Sequence, residues 1–309
     1  MRPPRRPAPP CVPSLTHPYA DSTEVDAAAA AVPAVGSGAA EDGAAGDGAG
    51  SRVAPKPREL PVFAAGEVDV DFVTMSYREV LLEDTAWNEH SHPWHELLWN
   101  ERGATTVVTG SQVWSVTPAV GLWLPAGRLH SASAVAGTST RAEFMRFGAV
   151  PSLSDEPVPV EIGPLLRLLL ERLGEPALTP ESRAVTEAMV VDVLQPSPRD
   201  LLVRLPTSAL LRPMADAVRA DPGDRRTLTE WAARLGVSPR TVSRAFQAET
   251  GTSFARWVAA VRAQHAVGLL ARGWEVEVVA EEVGYHSASA FGVAFRRTTG
   301  RTPGTFRRS

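Results

Sequence analysis

Three histidines and a glutamate stand at a spacing that could hold a metal ion. His90, His92 and Glu96 read H-x-H-x3-E, with Gly103 seven residues beyond the glutamate, and Pro125-x-Gly127-x2-His130 follows the apolar run Leu122–Leu124. The first three share parity, so on one strand all would project from the same face. An antiparallel strand carrying His130 into the same lumen would complete three imidazoles and one carboxylate. That donor set suits a divalent transition metal or zinc. His95 has the opposite parity and should point away. The same side chains could instead line a metal-free effector pocket, or simply bond to one another.

A second chemistry, contact with a polyanion, is written twice near the C-terminus. LTEWAARLGVSPRTVSRAFQAETG runs from Leu228 to Gly251, and VEVVAEEVGYHSASAFGVAFRRTTG from Val276 to Gly300. Leu228, Ala232, Leu235 and Gly236 align with Val276, Ala280, Val283 and Gly284, and Ser238, Val242, Phe246 and Gly251 with Ser287, Phe291, Phe295 and Gly300. Each copy reads as a short amphipathic helix, a glycine turn and a serine-capped second helix, a helix-turn-helix. In the first copy Val242, Ala245 and Phe246 face inward, leaving Arg240, Thr241, Ser243, Arg244 and Gln247 outward. The second should bury Ala290, Phe291, Ala294 and Phe295. Between the copies, apolar residues from Phe254 to Leu270 mark a linking helix of about 19 residues, roughly 28 Å long. That is close to the ~34 Å between successive major-groove faces.

Residues from about 208 to 309 resemble the C-terminal domain of AraC/XylS-type transcription regulators, with GYHSASAFGVAFRRTTGRTPGTFR matching the second-unit signature. The resemblance implies that Arg240, Thr241, Ser243 and Arg244 in the first recognition helix, and His286, Ala288, Ser289 and Val293 in the second, face DNA. Arginine can pair bidentately with guanine, whereas Val293 offers only apolar contact. Arg296, Arg297 and Arg301 suit phosphate. The histidine–glutamate set resembles the two motifs of the cupin superfamily, a β-barrel fold, with two departures. Asp84 stands where a glycine is expected, and Ala134 where an asparagine is.

Charge divides the chain in the same way. Fifteen arginines, no lysine and nine acidic residues give residues 206–309 a net charge of +6, against −4 for the whole chain. A basic end on an acidic chain suits phosphate contact by one domain. Residues 1–58 are rich in Ala, Gly and Pro without apolar periodicity and are expected to be a disordered tail. The start lacks the apolar core of a secretory signal. The single cysteine, Cys11, excludes an intrachain disulfide and fits a reducing cytoplasm.

Residues 59–150 carry short strand signals (WHELLWN, TTVVTG, SQVWSVTP, VGLWLPAG, STRAEFMRF) with a turn at Gly110-Ser111, which predicts a small β-barrel sensor. Trp99, Trp114 and Trp123 are candidates to line an effector pocket. Residues 151–205 read as a helical connector, with Leu165, Leu168, Leu169 and Leu173 as one stripe for packing on the barrel or for dimer contact.

The expected architecture is α+β: a cupin-like barrel, a helical connector and an all-α domain (206–309) with two helix-turn-helix units. The expected function is sequence-specific DNA binding and transcription regulation under a small-molecule or metal effector, in the cytoplasm, with no membrane role. Expected partners are a double-stranded DNA operator, the effector, a second copy and RNA polymerase. The competing reading is a metal-dependent cupin enzyme, for which no second acid or base is supplied by spacing.

Overall fold

Short strand-forming runs between Thr74 and Met145, several of them buried at nearly every position, assemble into two sheets. The structure is a computed structural model describing residues 54–198 and 201–307. Most of the expected tail lies outside the described residues, but its last part is structured. Lys56–Arg58 form β1, which pairs in parallel with β3 (Thr85–His90). The expected boundary at residue 58 is therefore late by at least three residues.

One sheet holds β2 (Thr74–Val80), β4 (His95–Arg102), β7 (Val120–Leu124), β9 (Ser139–Met145) and β10 (Val158–Glu161), in the order β10-β7-β4-β9-β2. The other adds β5 (Thr105–Thr109), β6 (Gln112–Val116), β8 (His130–Ala134) and β11 (Leu202–Arg204) to β1 and β3, in the order β1-β3-β8-β5-β6-β11. The β5–β6 hairpin turns at Gly110-Ser111 as expected, with Gly110 at φ +57°.

The connector is a helical hairpin, α1 (Pro164–Leu173) and α2 (Pro180–Val193), flanked by the edge strands β10 and β11. Its helices cover the outer face of the five-stranded sheet. Leu166, Leu169, Leu170, Leu173 and Val190 pack there on Leu97, Trp99, Trp123 and Met145. The buried stripe is not the expected one, because Leu165 and Leu168 are 52% and 63% exposed. A stripe started at Leu165 meets Arg172 one helical repeat later. The stripe started at Leu166 is leucine at i, i+3, i+4 and i+7, and it wins the core.

The C-terminal domain follows its repeat closely. After α3 (Arg212–Ala220) come α4 (Leu228–Arg234) and α5 (Pro239–Thr250), then α6 (Phe254–Ala271), then α7 (Val276–Glu282) and α8 (Ala288–Thr299). Ser238 and Ser287 cap the second helix of each unit through the amides of Thr241 and Ala290, at 3.1 and 3.2 Å. Gly251 and Gly300 end those helices in the left-handed conformation, at φ 73° and 75°. Phe291 and Phe295 are buried as expected, whereas Ala290 faces solvent. The linking helix α6 has 18 residues, about 27 Å. It is apolar on several sides because Phe254, Trp257 and Val261 serve one core while Ala266, Val267 and Leu270 serve another.

The two turn glycines are equivalent in backbone but not in surroundings. Gly236 (φ +68°) has open space where a Cβ would stand, whereas at Gly284 (φ +80°) a Cβ would lie 2.9 Å from the Gly223 carbonyl oxygen. Gly236→Ala should cost roughly 1–2 kcal/mol for the left-handed backbone alone. Gly284→Ala should cost about 1–3 kcal/mol more for the collision. Thermal unfolding of the two variants reads this difference, and equal losses would contradict it.

Candidate DNA interface and sensor centre

Arg240, Thr241, Ser243, Arg244 and Gln247 are all exposed on α5, leaving Val242 and Phe246 to the core. Arg240 and Arg244 stand one turn apart near the N-terminus, where a recognition helix usually meets base edges. Thr241 is partly committed to the cap, since its hydroxyl shares a 2.8 Å hydrogen bond with that of Ser238. The second unit exposes His286, Ser289 and Val293, with Ala288 half-buried and Arg296 and Arg297 exposed in the last turn of α8. Arg301 is set apart: it lines a cleft with Thr117 and Pro118 of the sheet domain and Arg167 of α1.

The histidine–glutamate cluster is assembled differently from the one-strand expectation. His90 is the last residue of β3, His92 lies in the crossing between sheets, Glu96 is the second residue of β4, and His130 opens β8. Antiparallel pairing of β3 with β8 sets His90 opposite His130. The ring centroids of His90 and His130 are 4.2 Å apart, and His92 lies 5.0 and 5.4 Å from them. One nitrogen of each histidine lies within 4.8 Å of the other two. Glu96 Oε2 is 3.3 Å from His92 Nε2 and 3.6 Å from His130 Nε2.

Protonation follows from the partners. His90 Nδ1 donates to the Asn88 carbonyl at 2.8 Å and His130 Nδ1 to the Arg128 carbonyl at 2.9 Å. A carbonyl only accepts, so both Nδ1 atoms carry the proton and each neutral ring keeps its lone pair on Nε2. Burial, then the neighbouring His130, lowers His90 to about 4, and burial likewise lowers His130. Burial disfavours an ionised Glu96, but the imidazoles, His92 first, hold its carboxyl at about 2. The buried Glu96 Oε2 accepts no well-aligned hydrogen bond and has only the imidazole nitrogens of His92 and His130 beside it. Neutral imidazoles anchored through Nδ1, converging with an ionised, buried carboxylate, fit a divalent cation. His95 is on the other face of β4, stacked on Trp123 at 5.2 Å, as its parity requires.

The candidate pocket tryptophans separate. Leu97 and Trp99 alternate with Glu96 along β4, and Trp123 stands opposite Leu97, so Trp99 and Trp123 face the α1–α2 hairpin, not the space between the sheets. There Trp99 lies between the guanidinium groups of Arg141 and Arg167, at 5.3 and 4.9 Å. Trp114 turns between the sheets, since its neighbour Val113 packs on the C-terminal helices.

Residues 231–309 match a family model described as a helix-turn-helix domain. NimR of Escherichia coli, an HTH-type transcriptional regulator, is 29% identical over 222 residues, covering 70% of this chain and 81% of NimR. RipA of Corynebacterium glutamicum, also an HTH-type transcriptional regulator, is 34% identical over 218 residues, covering 68% of this chain and 61% of RipA. Residues 231–309 are an AraC-type helix-turn-helix domain, and the relatives matched are HTH-type transcriptional regulators. Among solved structures, ToxT of Vibrio cholerae aligns with 75% of this chain and 95% of its own, at 12% identity and a TM-score of 0.32. No helix among the described residues of this regulator is long and apolar enough to cross a membrane.

Sequence reasoning missed the side chains that join the two parts of the regulator. Asp84, the departure from the expected glycine, accepts from Arg272 Nη1 and Nη2 at 3.2 and 2.7 Å and from the Ala136 amide at 2.9 Å. Gln264 Nε2, in the middle of α6, donates to the carbonyls of Val113 and Leu201 at 2.8 and 2.7 Å. The signals were a charge at a glycine position and an amide inside an apolar helix.

Proposed function

We propose that this regulator reads its operator mainly through α5 and is controlled by a divalent transition metal or zinc ion held by His90, His92, Glu96 and His130 in a cupin-like sensor. The observation that supports the metal is the pair of histidines anchored on backbone carbonyls beside an ionised, buried carboxylate whose Oε2 faces the imidazole nitrogens of His92 and His130. Bound there, the ion would supply Lewis acidity and a fixed charge. The four side chains are 3–9% exposed, which suits a resident ion better than turnover of a bulky substrate.

The regulator works as a dimer in the cytoplasm, where it meets its operator and RNA polymerase. Leu165 and Leu168 on α1 and Val185 and Met189 on α2 are exposed, the apolar face a second copy would cover. Leu168→Glu should shift sedimentation from dimer to monomer, and an unchanged dimer removes this face from consideration.

Operator binding tests the reading as a whole. With the operator selected by the full chain from random DNA, affinity measured in chelator should change severalfold when zinc or another divalent transition metal is restored. Equal affinity with and without metal in the wild-type chain would sink the metal effector and leave the DNA-binding domain untouched.

A further inference from the structure

The second recognition helix is poor in readers, yet the fold brings it a guanidinium from elsewhere. Arg225 lies in the loop that leads into α4 of the first unit, and its Nη1 is 3.4 Å from Nδ1 of His286, sixty-one residues away. His286 immediately precedes Ser287, the cap of α8. Both side chains are exposed.

The contact is held by a framework and does not rest on two surface side chains meeting by chance. Arg262, from the linking helix, donates Nε to the Pro222 carbonyl and Nη2 to the Asp224 carbonyl, each at 2.9 Å. Its guanidinium also lies 5.4 Å from the ring centre of Tyr285 in the second turn. Gly223 and Gly284 meet so closely that neither has room for a Cβ against the other segment: one built on Gly284 would stand 2.9 Å from Gly223 oxygen, and one on Gly223 3.0 Å from the Glu282 oxygen. On the other side of Arg225, Arg226 turns back to Asp224 at 2.8–2.9 Å and covers Trp231 at 4.1 Å. The loop is thus fixed against the second unit's turn, with Arg225 the side chain left pointing along it.

We propose that Arg225 belongs to the DNA contact of the second unit. Its guanidinium contacts a phosphate at the edge of the half-site entered by α8 and orients His286 for the groove. An arginine has only donors, so the nitrogen facing it, Nδ1 of His286, accepts and carries no proton. The neutral ring then presents Nε2–H outward, a donor suited to the acceptor edge of guanine or to a phosphate oxygen. The first helix-turn-helix therefore contributes in cis to the second half-site, offsetting the apolar Ala288 and Val293.

The test uses the full chain and an operator selected by it from random DNA. Arg225→Ala should bind that operator about 5- to 10-fold more weakly, and the slope of log affinity against log salt should fall by about 1, one phosphate contact. Arg225→Lys should recover the salt slope. On DNA shortened so that the α8 half-site and its phosphates are absent, Arg225→Ala and wild type should bind alike. His286→Ala should weaken operator binding severalfold in the wild-type background and add nothing to Arg225→Ala, the coupling expected of one unit. The thermal midpoint should stay unchanged, since Arg225 is exposed. An unchanged affinity and salt slope, or a loss that persists on the shortened DNA, overturns the proposal.

Discussion

Alanine at Arg240 or Arg244 is expected to weaken operator binding by about 1–3 kcal/mol, roughly 5- to 150-fold, and to erase preference at one or two base pairs. The size follows from what each side chain can do. Both are exposed and one turn apart on α5, whose other face is locked by the buried Val242 and Phe246. Neither takes part in the Ser238 cap that partly occupies Thr241. Losing a bidentate contact removes discrimination at the base it reads without changing the fold. The contrast is Arg296 and Arg297, exposed in the last turn of α8. Their replacement should weaken all sequences alike and flatten the salt dependence, as phosphate contacts do. Base-by-base substitution of the operator at fixed salt separates the two patterns. Uniform weakening by Arg240→Ala and Arg244→Ala would show α5 to be an anchor and not a reader.

His130→Ala should lower the thermal midpoint of protein prepared with its metal by about 5–10 °C. An ion held only by the folded state stabilises it by roughly 2.7 kcal/mol at a hundredfold excess over its dissociation constant. For a chain of this size each kcal/mol moves the midpoint by about 2–4 °C. Chelator should bring the wild type down toward the variant, while the variant should not respond. His130 suits this test because its ring joins the backbone just ahead of β8, at the Arg128 carbonyl, to Glu96 on the facing sheet. A wild-type midpoint indifferent to chelator would mean the cluster is held by its own hydrogen bonds.

What the amino-acid sequence reveals of this fold depends on how local the physical cause is. The helix-turn-helix pair was legible because its causes lie within a few residues: a serine cap, a glycine turn, an apolar stripe. Ala290 was misplaced because a small apolar residue exacts little for facing water. That His90, His92, Glu96 and His130 could meet was legible from type and spacing, but how they meet was not. Ser91–Trp94 carries the chain from one sheet to the other, and only pairing between distant strands shows that His92 ends beside His130 and not beyond it along a strand. The same blindness put Trp99 and Trp123 in a lumen. Their parity opposite Glu96 was readable, but that helices cover the outer face was not. Asp84, noted only as a broken motif, gained its meaning from Arg272, 188 residues away.

The central claim, that the sensor centre holds a metal ion, is tested most directly by elemental analysis. Full-length protein purified without chelator is set beside the double variant His90→Ala, His92→Ala. Close to one equivalent of zinc or another divalent transition metal per chain is expected in the wild type, and almost none in the variant. A wild type free of metal after incubation with these ions, or a variant that retains as much, would contradict it.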